Sequence, residues 1–235
     1  MRSCLVQILV MLAIAFALVW FGLPLGVSAL ATGALNSSGF TGTDTKVEVS
    51  ANPPFMLLTG HADTIRIRSS EARMGDLHAA AVDVVLGDVE LLSRNIGTVT
   101  GTLDGVRVAA PNGDPVGIDK VTLEGSATAT IATATLTVPE AETLAESQLK
   151  SQTGITATVT LKGPNLLTLT IAGKPVSGRL VTSNGSLLVD PDSAALPIVT
   201  LISPGSGNPF RVTSVDISPT IVTLAGTINI QNLLS

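Results

Sequence analysis

Residues 47–68, VEVSANPPFMLLTGHADTIRIR, decide how the chain is read. Val47 and Val49 alternate with Lys46, Glu48 and Ser50, and Ile65 and Ile67 alternate with Arg66 and Arg68. A period of two marks a strand with one buried and one wet face, so both flanks are expected to be strands. Between them Pro53 and Pro54 interrupt ladder pairing, and Phe55, Met56, Leu57 and Leu58 form an apolar knot that ends at Gly60. Four consecutive apolar residues there need burial against protein or lipid.

This pattern resembles the LmeA-like phospholipid-binding family of bacterial extracytoplasmic proteins. The matching residues are Val47, Val49, Pro54, Phe55, Leu57, Leu58 and Gly60, in a strand, a proline-phenylalanine-leucine element and a second strand. An apolar N-terminus before the motif and many short strands after it fit the same layout. The resemblance implies an α+β, predominantly antiparallel β fold related to tubular lipid-binding proteins. In it a strongly curved sheet wraps around one or two helices, after an N-terminal apolar helix, and phospholipid is the implied ligand.

The chain has 235 residues, 45% hydrophobic and only 13% charged. Ionisable side chains are nearly missing from residues 3–43, and setting Arg2 aside leaves 12 Lys and Arg against 18 Asp and Glu. A mildly acidic domain without a basic cluster argues against nucleic-acid binding, which needs grouped cations for phosphate. Residues 4–25, CLVQILVMLAIAFALVWFGLPL, are almost wholly apolar. As a helix they would span roughly 33 Å, enough for a bilayer core of about 30 Å. Two readings stand: residues 1–25 are a transmembrane anchor, or a signal peptide cleaved near Ala31 in the Ala29-Leu30-Ala31 triplet. Either one exports the remainder, with residues 26–235 expected to form a single β-rich, extracytoplasmic domain, anchored to the cytoplasmic membrane by the N-terminal helix or secreted after cleavage. Cys4 is the sole cysteine, so neither an intrachain disulfide nor a cysteine metal site is expected.

Beyond Asp44, strand-like runs fall at 80–86, 98–103, 105–109, 120–123, 126–138, 155–161, 166–172, 176–182, 186–189, 198–202, 211–217 and 221–230. They imply an extensive antiparallel sheet joined mostly by hairpins. Asn112-Gly113 and Asn184-Gly185 are the strongest hairpin signals, because both central residues of a type I′ turn need positive φ. One helix is expected at 139–150, PEAETLAESQLK, with Pro139 in its first turn, Glu140 and Glu142 near its positive end and Gly154 as its stop. Ala141, Leu144, Ala145 and Leu149 give it a narrow apolar stripe.

Catalytic chemistry has little to build on. His61 and His78 are the only histidines, neither with a zinc-type partner four residues away, and no serine elbow or phosphate loop occurs. Asn112, Asp114 and Asp119 lack the spacing of a calcium loop, and Asp190 and Asp192 read as turn residues. We expect no enzyme activity and no cofactor. There is no tyrosine, and the sole tryptophan, Trp20, lies in the apolar segment, so the domain has no stacking platform for sugars or bases. Aliphatic walls suit acyl chains. Phe55, Met56, Leu57, Leu58, Leu144 and Leu149 are the candidate lipid contacts, and Arg66, Arg68 and His61 the headgroup candidates. The alternative is a structural or adhesion protein of the envelope with a solid β core.

Overall fold

The computed structural model describes residues 40–52, 54–74, 77–93, 95–109, 115–204 and 210–231. The apolar segment 4–25, the Ala29-Leu30-Ala31 triplet and the Asn112-Gly113 turn lie outside them. So do the side chains of Phe55 and Leu58. No helix among the described residues is long and apolar enough to cross a membrane.

The described residues are mostly antiparallel β, with two sheets and one long helix. Six strands run as a meander: β1 (Phe40–Ser50), β2 (His61–Met74), β3 (Leu77–Glu90), β4 (Asn95–Ala109), β5 (Pro115–Ser126) and β6 (Ala129–Thr137). The helix α1 (Val138–Thr153) follows. A second sheet is then built from β7 (Thr158–Lys162), β8 (Leu166–Ile171), β9 (Lys174–Ser183), β10 (Ser186–Pro191) and β11 (Val199–Ile202). The chain finally returns as β12 (Arg211–Ile217) and β13 (Ile221–Ile228), and β13 pairs with β6 to complete an eight-stranded sheet in the order β1-β2-β3-β4-β5-β6-β13-β12. Helix and small sheet are thus an insertion between two strands that are neighbours in space.

Register explains why the large sheet has a dry face. One row across all eight strands reads Val47, Ile67, Val84, Gly101, Leu123, Ala132, Gly226, Val212. The adjacent row on the opposite face reads Lys46, Arg68, Asp83, Thr102, Thr122, Thr133, Ala225, Ser214. A slip of one residue in any strand would exchange these faces, so burial fixes the register. Ile65, Val84, Leu86 and Val99 are fully buried on the dry side.

Several local expectations change. Residues 98–103 and 105–109 form one strand, β4, because Gly105 takes φ +58° and carries the chain onward where an L side chain would be strained. Residues 126–138 are not one run but parts of three elements: the Ala/Thr repetition turns at Ala127 and Thr128, sending β5 back as β6, and Val138 already belongs to α1. Asn184 and Gly185 do form the expected tight turn between β9 and β10, with φ of 52° and 82°.

Helix α1 is closed at both ends by its own sequence. Thr137 caps the N-terminus: its Oγ1 accepts from the Glu140 N–H at 3.4 Å and donates to the Glu140 carboxylate at 3.1 Å. Gly154, at φ 72°, returns its N–H to the Lys150 carbonyl. Its glutamates tie it to both sheets. Glu140 Oε1 accepts from the Gly117 N–H of β5 at 3.1 Å, while Glu142 and Glu146 accept from the Leu161 and Val159 N–H groups of β7, each at 2.8 Å. Carboxylates four residues apart on a helix stand roughly 6 Å apart, close to the spacing of alternate N–H groups on a strand edge. The pair therefore does for β7 what a further strand would do. Replacing Glu142 or Glu146 by alanine orphans a half-buried donor and is expected to cost about 1–2 kcal/mol each in urea unfolding. Glutamine, which keeps an acceptor oxygen, should recover most of that loss.

Candidate functional site

The helix contacts β5, β6 and β13 of the large sheet and both edge strands, β7 and β11, of the small one. It therefore lies between the sheets, and an apolar cleft remains along one of its faces. Ala141, Leu144, Ala145 and Gln148 of α1 form one wall, and Leu136, Val222, Leu224 and Val215 of the large sheet form another. Leu161, Leu180, Leu187, Leu201 and Ile202 of the small sheet close the third side. Gln148 is the single polar side chain among these thirteen.

Exposure locates the mouth. Leu144, Gln148, Leu201 and Val215 are half-buried, whereas the remaining lining side chains are buried, so the cleft opens beside these four. Mouth included, it spans about 630 Å³, but its free interior is about 50 Å³. A water needs at least about 10 to 15 Å³ measured in this way, so the closed form has room for a few waters or a few methylenes.

The candidate lipid contacts divide. Leu144 lines the cleft at its mouth. Leu149, one turn beyond Ala145 on the same stripe, instead lines a separate space towards the C-terminal end of the helix, where Leu169, Ile171, Leu196 and Val199 leave only about 10 Å³. Met56 and Leu57 belong to a 3-10 helix, Pro54–Thr59, that packs on β2 and lines neither space. The knot is held at the β1–β2 corner by the Gly60 N–H to the Leu57 carbonyl, 3.1 Å, and by the Leu91 N–H to the Gly60 carbonyl, 2.7 Å. Leu57 is partly buried against the core.

The headgroup candidates lie across the sheet from the cleft. Arg66 and Arg68 project from the wet face, opposite Ile65 and Ile67. Arg66 forks onto Asp83 at 2.8 and 2.5 Å, and Arg68 reaches Glu48 at 3.5 Å and Asp83 at 3.8 Å. The Arg66 hydrogen bonds hold the Asp83 carboxyl below its ordinary range, against a smaller opposing effect of burial.

His61 Nδ1 donates to Glu90 Oε1 at 2.7 Å, and its Nε2 lies 3.3 Å from Asp63 Oδ1. The Glu90 hydrogen bond, aided by the charge of Glu90 and by Asp63, raises the His61 pKa. A histidine raised in the folded state stabilises it fully below its unfolded pKa of about 6.5, and that stabilisation is lost as pH rises through the folded value. The Glu90→Gln variant should titrate His61 at lower pH by NMR. It should also narrow the stability gap between about pH 6 and pH 8. His78 Nε2 meets Glu71 Oε2 at 2.8 Å. Among the described residues, no three potential metal ligands come together.

Sequence reading missed Gln148 and every cleft residue outside α1. The nine strand residues are spread over seven strands, and the only advance signal was the apolar stripe of the helix. Comparison with known proteins returns no matching family model, no matching curated protein and no matching solved structure.

Proposed function

We propose that this domain binds the hydrocarbon portion of a membrane phospholipid in the cleft between α1 and the two sheets, and acts in lipid transfer or sensing at the cell envelope without catalysis. The observation that carries this reading is a lining of twelve aliphatic side chains and one amide around an opening to solvent. The motif at residues 47–60 and its resemblance to the LmeA-like lipid binders point the same way, as does the apolar segment 4–25, which would hold the domain at the membrane after export. In this reading the large sheet curves around α1 in the manner of tubular lipid binders.

Magnitudes set one condition. A few sheltered methylenes contribute roughly 2–3 kcal/mol, whereas a sixteen-carbon chain kept from water requires roughly 12. Uptake therefore needs the half-buried side chains at the mouth, Leu144, Leu201 and Val215, to swing apart and let the chain extend along the helix. The headgroup stays outside in this arrangement, which is why no cation is needed among the lining residues. Incubating the full chain with phosphatidylcholine vesicles and analysing the re-isolated protein by native mass spectrometry tests the reading, with bound lipid expected.

The small free interior favours a second reading, a solid-cored envelope protein whose threonine-bearing outer face mediates assembly. Protein that never takes up lipid yet associates with itself would support that alternative.

A further inference from the structure

Three of the four outer strands of the two sheets have their edges covered. Glu142 and Glu146 accept from β7. The Gln152 amide donates to the Thr200 carbonyl of β11. On β12 the Val212 and Ile217 N–H groups donate to the carbonyls of Gly185 and Pro164, both at 2.9 Å. The fourth is β1. Among the described residues no strand pairs with its outer edge. An open edge is a template for another strand.

We propose that β1 is a self-association edge, pairing antiparallel with β1 of a second copy about a two-fold axis through Val47. The sequence around that axis is complementary to itself. Antiparallel pairing centred on Val47 sets Lys46 opposite Glu48 of the second copy and Glu48 opposite Lys46 of the second copy, on the wet face. Val47 then meets Val47 of the second copy on the dry face, and Thr45 meets Val49. A register centred on Thr45 would set Lys46 opposite Asp44, but Asp44 lies in the irregular stretch of β1 at φ +53°, which leaves the Val47 centre as the one on regular strand. Both hydrogen-bonding parities of β1 allow this centre, because each places two equivalent residues around the axis.

The surroundings of Lys46 support the choice. It is exposed, it stands opposite Arg68 in the β1–β2 ladder, and no carboxylate among the described residues lies within ion-pair distance of it. Like charges directly opposite are unfavourable, and a carboxylate on the free side relieves them. Glu48, which reaches Arg68 at 3.5 Å, would supply that carboxylate from the other copy. Val47 and Val49 are half-buried and pack on the core, so pairing would extend the aliphatic row that continues into Ile65 and Ile67. Register irregularities between Thr41 and Lys46 leave Lys46 to Ser50 as the regular part of β1, so pairing about Val47 is regular on both copies only over Lys46, Val47 and Glu48, which makes for weak, concentration-dependent association.

Sedimentation equilibrium of the full chain in detergent tests this. The unmodified chain is expected to shift from monomer to dimer with concentration. Lys46→Glu and Glu48→Lys, each placing like charges opposite one another twice per dimer, should each weaken the dimer about tenfold. The double variant Lys46→Glu/Glu48→Lys restores opposite charges and should recover it, with unchanged circular dichroism in all three. A monomer at every concentration overturns the proposal. So does a dimer indifferent to the single substitutions, or a double variant as weak as its parents. Lipid binding is not involved, so either result leaves the cleft reading untouched.

Discussion

The Phe210→Ala variant is expected to lose about 3–5 kcal/mol of stability, the largest loss from any single truncation of the sheet. Phe210 is 1% exposed and the largest of the fully buried side chains. It immediately precedes β12, where its ring lies over Gly226 so closely that a Cβ there would collide with the ring and with the Arg211 carbonyl. Ring and glycine together let β12 close onto β13. Removing the ring leaves a void that the hydrogen-bonded strands cannot collapse to fill, whereas leucine refills part of it and should recover a substantial share. Gly226→Val tests the same contact from the other side, through overpacking, at about 1–3 kcal/mol. Urea unfolding of the three variants orders them as alanine, valine, leucine from most to least destabilised.

Leu144→Asp should abolish lipid uptake while leaving the fold in place. Leu144 is half-buried on α1 at the mouth of the cleft, so in the empty protein an introduced carboxylate turns to water at little cost. A hydrocarbon chain entering past it would strip that water and leave an unpaired charge against methylenes, which costs several kcal/mol. Every 1.4 kcal/mol is tenfold, so the loss in affinity should exceed a hundredfold. Met56→Asp is the informative control. The 3-10 helix carrying Met56 lines no part of the cleft, so uptake should survive there even though the sequence motif centres on that knot.

Much of the fold was legible because it is local. Alternation identified most strands, Asn184-Gly185 identified its hairpin by the φ values it demands, and Pro139, Glu140 and Gly154 bounded α1 to within a few residues. What could not be read is non-local. The pairing of Ile221 with Thr137 closes a gap of more than eighty residues, and nothing in either strand's pattern names the other as partner. The Ala/Thr stretch hid its turn because alanine and threonine fit strand and turn alike, and only the pairing of Ser126 with Ala129 shows the reversal. Glu142 read only as a charge near the positive end of the helix and Glu146 drew no reading, since their spacing gains meaning only beside the edge of β7.

The candidate site was legible in one wall of three. The apolar stripe of α1 identified Leu144, but a stripe does not tell where along the helix the cleft ends, and Leu149, one turn beyond Ala145, falls past it. Arg66 and Arg68 carried the right charge for a headgroup on the wrong face of the sheet for this cleft, and Asp83 occupies Arg66. Strand alternation told that they oppose Ile65 and Ile67. Only tertiary structure tells which face meets the helix.

Native mass spectrometry of the full chain after incubation with phosphatidylcholine vesicles tests the central claim most directly, with wild type, Leu144→Asp and Met56→Asp compared side by side. Wild type and Met56→Asp should carry a lipid-sized mass increment and Leu144→Asp none. Wild type without lipid, or Leu144→Asp carrying as much as wild type, would contradict it.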